Sequence, residues 1–167
     1  MNASANNLPS RLDPFLRAEI EDLYARYSAC VDSGHYEAWP GFFTEACTYK
    51  VIPRENHERG LPLATLAFES RAMLEDRVYG ITQTLFHQPY YQRHSVSGIL
   101  ITEVTSSGIA VEANYLVIRT RSKALSEVFN TGRYIDRVVR EDGSLRFAEK
   151  CCVFDSEMIP NSIIYPI

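Results

Sequence analysis

Cysteine and histidine are the residue types of this chain best suited to redox or metal chemistry, and their spacing builds no recognisable ligand set. There are four of each. Cys30, Cys47, Cys151 and Cys152 form no Cys-x-x-Cys or Cys-x-His segment of the kind that holds zinc or an iron–sulfur cluster. A non-haem iron site needs two histidines and a carboxylate on one face. His87 and His94 straddle Pro89, which disrupts a common helical face, while His35 follows a helix stop and His57 sits in a charged loop. Histidines at the surface or in hydrogen bonds, and reduced, buried thiols, are the plain reading. The chain also lacks a Gly-rich phosphate loop and a Ser or Cys in a nucleophile motif.

Acid–base chemistry needs less: one or two titratable groups in an apolar cavity that tunes them. Tyr24, Asp32, His87, His94, Tyr115 and Asp136 are the candidates. Each also has a structural role that explains its position. Tyr24 lies on the core stripe of a helix, Asp32 adjoins a helix terminus, and Tyr115 belongs to an inward-facing alternation. Asp136 shares a strand face with Gly132 and Val138. Ten tyrosines and eight phenylalanines fill cores more often than they cage substrates. Spacing alone singles out no acid–base pair.

With 167 residues and 46% apolar content, the chain fits one domain with one well-filled core. Residues 1–11 are polar and read as a poorly ordered lead, and residues 12–167 as the domain. A net charge of −4 with scattered Lys and Arg leaves no footprint for nucleic acid. No apolar run reaches the roughly 20 residues that span a bilayer, and Met1–Asn7 lacks the basic and apolar regions of a secretion signal. A cytoplasmic location follows as the expectation.

The elements that position these residues begin with a helix opened by Asp13 and Pro14 and stopped by Gly34, its buried stripe being Ile20, Leu23, Tyr24, Tyr27 and Val31. An aromatic cluster of Tyr36, Trp39, Phe42 and Phe43 leads into the alternation of Cys47, Tyr49 and Val51, where the apolar period switches from helical to two. Pro53 to Pro62 reads as a loop. Ser70 opens a second long helix, with Met73, Leu74, Val78, Ile81 and Leu85 on one face, an Arg71/Glu75 pair outside, and Pro89 at its end. Four β-rich runs follow: Tyr91–Val104, Ile109–Thr120, Ser126–Arg140 and Leu145–Phe154. Their short connections force antiparallel pairing, Asp142-Gly143 marks a tight hairpin, and Gly132 suggests a bulge. The whole is an α+β cone, with helices on the concave face of a strongly curved sheet.

In that order the motifs become familiar. Trp39-Pro40-Gly41-Phe42-Phe43-Thr44 with Cys47-Thr48-Tyr49, Glu55-Asn56-His57 with Gly60-Leu61, and Met73-Leu74-Glu75-Asp76-Arg77-Val78 come first. Arg93-His94, Glu127-Val128-Phe129 with Gly132-Arg133-Tyr134, Asp142-Gly143-Ser144-Leu145, Phe154-Asp155-Ser156 and Tyr165-Pro166-Ile167 complete the set. Over nearly its whole length the chain resembles the small, or β, subunits of bacterial Rieske-type aromatic-ring-hydroxylating oxygenases. The Glu55-Asn56-His57 loop and the Leu-Glu-Asp-Arg helix look most like the branch acting on aromatic carboxylates, with salicylate 5-hydroxylase and terephthalate or anthranilate dioxygenases.

The resemblance implies a cone of the kind shared with nuclear transport factor 2 (NTF2-like) and ketosteroid isomerase, its sheet mixed or antiparallel. It implies a scaffolding subunit of an α3β3 mono- or dioxygenase in aromatic catabolism, with no catalytic, cofactor-binding or metal-binding residue of its own. The Rieske [2Fe–2S] cluster and the mononuclear Fe(II) would belong to the large subunit. Substrate would be chosen there too, and ferredoxin or reductase would be met only through it. Interface or scaffold candidates are Asp76 and Arg77, as an ion pair fixing the second helix, and Arg93, His94, Arg133 and Arg137, reaching a neighbouring subunit. Long strands apolar on both faces, as in Tyr115-Leu116-Val117-Ile118, leave an outer face that a β trimer would cover. The alternative from the residues alone is a stand-alone cavity enzyme, an isomerase or dehydratase of a small hydrophobic substrate.

Overall fold

The computed structural model describes residues 13–158 and 162–167; the polar lead at residues 1–11 lies outside them. Helix α1 (Pro14–Asp32) starts where Asp13 Oδ1 accepts from the Phe15 amide at 3.0 Å, and it ends at Gly34, whose φ of +74° suits the left-handed position after the last turn. A 3-10 segment (Tyr36–Phe42) drops Trp39 into the core, and β1 (Phe43–Pro53) follows. The expected loop from Pro53 begins with a short helix, α2 (Arg54–Glu58), with Arg59 paired to Glu55 at 2.6 Å. After β2 (Leu66–Phe68), the Ser70 hydroxyl caps α3 (Arg71–Tyr79) by accepting from the Met73 amide. The long strands are β3 (Tyr90–Thr105), β4 (Gly108–Arg121), β5 (Glu127–Glu141) and β6 (Ser144–Phe154).

The six strands form one sheet in the order β2-β1-β6-β5-β4-β3. Every pairing is antiparallel except that of β1 with β6, so the sheet is mixed. The β5–β6 hairpin has positive φ at Asp142 and Gly143, as its tight turn requires. Helix α1 lies in the concave side. Its stripe of Ile20, Leu23, Tyr24, Tyr27 and Val31 shares one core with the inward row of β4 (Val111, Ala113, Tyr115, Val117), and Tyr24 meets Tyr134 on β5 and Phe147 on β6. Aromatic rings fill the cone: Tyr115 stacks on Tyr134 with centroids 4.5 Å apart, and Trp39 meets Tyr49 edge-on at 5.2 Å.

Three expectations are corrected. The second helix stops being α-helical at Tyr79 and widens into a π-turn (Gly80–Thr84), where the hydroxyls of Thr82 and Thr84 donate to the carbonyls four residues back. Leu85 therefore does not join its buried face, and Met73, within the regular part of the helix, is exposed as well. Arg71 does not pair with Glu75; its guanidinium caps the Phe43 carbonyl and lies near Glu45 and Glu141. Gly132 is not a bulge. A Cβ there would stand 2.0 Å from the Val153 carbonyl oxygen and 2.8 Å from the Phe154 Cα, so glycine is needed because β6 crosses too closely for any side chain. The bulge sits at Phe129, because Val117 pairs with Asn130 while Ile118 pairs with Val128.

Candidate functional site

Two surfaces compete for function in a cone: the inside, where a cavity enzyme works, and the outer face of the sheet, where subunits meet. Inside, the acid–base candidates are brought together in pairs. The Tyr24 hydroxyl donates to Asp136 Oδ2 at 2.5 Å, and the same oxygen lies 2.9 Å from Lys150 Nζ. The Cys151 amide donates to the other carboxylate oxygen at 3.2 Å. Neither Asp136 nor Lys150 has any solvent-exposed side-chain surface. The Lys150 ammonium also lies over the Tyr134 ring at 3.4 Å and near those of Tyr27 and Phe147. Burial pushes the Asp136 carboxyl up from its ordinary range and raises the Tyr24 phenol well above its own, with the Asp136 charge adding to the latter. Each charge is neutralised by its partner and the Tyr24 phenol is held as a donor. The arrangement is a buried network that fixes α1 to β5 and β6.

Lys150 was not among the residues singled out by sequence. Strict alternation from Leu145 and Phe147 would turn it outward, but Ala148 is an extra residue on β6, since Val138 pairs with Phe147 and Arg137 with Glu149. Unbroken hairpin register would set Asp136 opposite Glu149, two like charges face to face. The bulge sets Asp136 opposite Lys150 and Arg137 opposite Glu149. Charge complementarity was the available signal.

The second pair is Asp32 and His94. The Asp32 carboxylate accepts from the His94 backbone amide at 2.9 Å and lies 2.6 Å from its Nδ1. The His94 side chain is fully buried. It cannot reach a neighbouring subunit, and that expectation is corrected: even-numbered positions of β3 in this stretch face inward. His87 and Tyr115 stand apart from both pairs. His87 meets the Tyr165 ring edge-on, and Tyr115 donates to Asn130 Oδ1 at 2.7 Å.

Outside, directly opposed residues give the order of the sheet's convex face. Arg93, Ile118 and Val128 form one row, Ser95, Leu116 and Thr131 the next, then Ser97, Asn114, Arg133 and Val153, and then Leu100, Glu112, Ile135 and Cys151. Tyr91 and Val128 are 75% and 62% exposed. Tyr115 and Val117 point inward and Leu116 and Ile118 outward, so this face mixes aliphatic side chains with Arg93 and Arg133. Arg137, further along, donates to the Ser107 carbonyl at 3.1 Å and so clamps the β3–β4 turn.

Asp76 is exposed on α3 and makes no ion pair with Arg77. Arg77 points the other way, donating to the carbonyls of Ile163 and Ile164 at 3.0 and 2.8 Å. One further buried cation emerges: Arg119, stacked 4.2 Å from the Phe129 ring centre and paired with Glu127 at 2.7 Å. Among the described residues no three His, Cys, Asp or Glu side chains gather in a group that could hold a metal ion.

A SnoaL-like domain model matches residues 16–150. The small subunit of anthranilate 1,2-dioxygenase from Burkholderia cepacia is 36% identical over 149 residues, covering 89% of this chain and 92% of that one. Subunit beta 1 of the terminal oxygenase component of terephthalate 1,2-dioxygenase from a Comamonas species is 33% identical, with 89% and 97% covered. Among solved structures, a chain assigned as the β subunit of an aromatic-ring-hydroxylating dioxygenase from Novosphingobium aromaticivorans superposes with a TM-score of 0.84. That chain is 33% identical to this one over 92% of this sequence and 97% of its own.

Proposed function

Because this chain belongs to the small subunits of aromatic-ring dioxygenases, within the SnoaL-like domain family, we propose that it is the non-catalytic small subunit of a multicomponent aromatic-ring hydroxylase in the cytoplasm. In this reading it trimerises and supports three large subunits in an α3β3 terminal oxygenase. The large subunit carries the Rieske cluster and mononuclear iron, selects the aromatic substrate and meets the ferredoxin or reductase. The observation that carries the reading is the 36% identity to a dioxygenase small subunit along nearly the full length of both chains.

The geometry supports the same assignment. A Rieske cluster needs two cysteines and two histidines converging on one site, and the residues here do not fit. Cys30, Cys47 and Cys152 are buried on three different elements, Cys30 donates to the His35 carbonyl, and His94 is engaged by Asp32. The inward carboxylates are engaged by their neighbours, Asp136 by Tyr24 and Lys150 and Asp32 by His94. What the molecule offers to a partner is the outer sheet face, where Leu116, Ile118, Ile135 and the exposed Tyr91 and Val128 surround Arg93 and Arg133. Packing of three such faces around an axis would cover the aliphatic rows. The polar groups toward the strand ends, Arg93 and Arg137, together with Asp76 exposed on α3, would then serve the large subunit.

Metal analysis and visible absorption test this directly. The purified chain should contain no stoichiometric iron and show no sulfur-to-iron charge-transfer band, whereas the complex with its large subunit should show both. Iron in the isolated chain, or turnover of an aromatic substrate by it, would contradict the proposal.

A further inference from the structure

Residues Ile163–Ile167 return across the open end of the cone and insert into it. Ile167 is fully buried. Its carbonyl oxygen accepts from the Tyr27 hydroxyl at 2.8 Å and the Tyr49 hydroxyl at 3.2 Å, and its amide donates back to the Tyr49 oxygen at 2.9 Å. The Tyr27 oxygen in turn accepts from the Trp39 indole at 3.3 Å. Each phenol thus spends its one proton on the Ile167 carbonyl and uses its oxygen to accept an N–H. Burial pushes both phenols well above their ordinary range, so they remain donors at any physiological pH.

The rest of the segment is held in the same manner. Arg77 takes the carbonyls of Ile163 and Ile164, and Gln92 Nε2 donates to that of Pro166 at 3.1 Å. Tyr165 stacks on Tyr36 with centroids 4.9 Å apart. These contacts come from side chains on α1, β1, α3 and β3, not from a strand ladder. They would be equally available to a ligand that was not part of the chain. The wall also has polar capacity that the segment does not use: Gln92 Oε1 and His94 Nε2 are buried, two residues apart on the inward face of β3, and neither has a partner among the described residues. Asp32 fixes the His94 ring from its other nitrogen.

We infer that the open end of the cone is a binding site for an N-acylated amino acid residue with a branched aliphatic side chain, and that in this structure the chain's own Ile163–Ile167 segment occupies it. The residue's own carbonyl is received by Tyr27 and Tyr49, its acylated N–H by the Tyr49 oxygen, the carbonyl of its acyl group by Gln92, and its side chain by the socket that now holds Ile167. The inference is independent of the assembly role, since the site lies on the opposite side of the sheet from the outer face.

Trp39 is the only tryptophan, and its hydrogen bond to Tyr27 makes its fluorescence a reporter of the site. A chain lacking residues 163–167 should keep its far-ultraviolet dichroism, change its Trp39 emission, and recover the original emission saturably with the hexapeptide Ser-Ile-Ile-Tyr-Pro-Ile. N-acetyl-isoleucine methylamide should do the same at higher concentration, which separates a free small amide from a peptide segment supplied by a second copy. Tyr49→Phe in the shortened chain should weaken both roughly ten- to a hundredfold, the equivalent of two net hydrogen bonds. The intact chain should respond to neither. If shortening unfolds the chain, full-length Arg77→Ala, whose segment is loosened but present, should still gain a saturable response to the hexapeptide. A folded shortened chain, or the Arg77→Ala chain in its place, that ignores both ligands would overturn the inference.

Discussion

Asp136 and Lys150 stand directly opposite one another across the β5–β6 ladder, 2.9 Å apart and wholly excluded from solvent, with the Tyr24 hydroxyl on the same carboxylate oxygen. Removing one partner would leave an uncompensated charge in an aromatic core. Lys150→Met alone should lower unfolding stability by about 3–5 kcal/mol in urea titration, whereas Asp136→Leu together with Lys150→Met should recover most of the loss. Equal losses for the single and double variants would show that the pair is not coupled as described.

Gly132→Ala should be costly out of proportion to one methyl group. The new Cβ would meet β6 backbone atoms, not a flexible side chain that could move aside. The loss should reach or exceed the roughly 1–3 kcal/mol usual for overpacking. A thermal midpoint unchanged from the parent chain would contradict the close crossing of β5 and β6.

Glu127 gives a pH dependence of known sign. Its hydrogen bonds to the buried Arg119 guanidinium hold its carboxyl below the ordinary glutamate range. Its contribution to stability is therefore complete above the unfolded-state value and lost as pH falls through the folded one. Glu127→Gln should flatten the acid limb of the urea midpoint measured between about pH 6 and pH 3. An acid limb as steep as that of the parent would remove Glu127 from the account.

Much of the fold was legible because its punctuation is local chemistry. Asp13, Gly34, Ser70 and Asp142-Gly143 each satisfy or free a backbone group within a few residues, and all four act in the structure as the sequence indicates. What eluded sequence was set by distant partners. The need for Gly132 comes from β6 rather than from its own strand, and the facing of Lys150 depends on a bulge that its opposite strand selects. Leu85 leaves the core because two threonine hydroxyls loosen the turn before it. Of the site residues, Arg93 is exposed on the outer face of the sheet, opposite Ile118. His94 and Arg77 are claimed by Asp32 and by the Ile163–Ile167 segment, pairings that no spacing along the chain reveals.

The outer sheet face can be tested one side chain at a time. Ile118 is half-buried between Arg93 and Val128, so a charge there can be hydrated in the monomer but not in a packed trimer. Ile118→Glu should convert the isolated chain from trimer to monomer with its circular dichroism intact. A variant that remains trimeric would move the self-association surface elsewhere.

The central claim is that this chain is a structural subunit, and mass in solution tests it most directly. Light scattering coupled to size exclusion should give a trimer for the chain alone and an α3β3 hexamer for the chain co-expressed with its large subunit. A stable monomer that also fails to co-purify with that subunit would contradict the account.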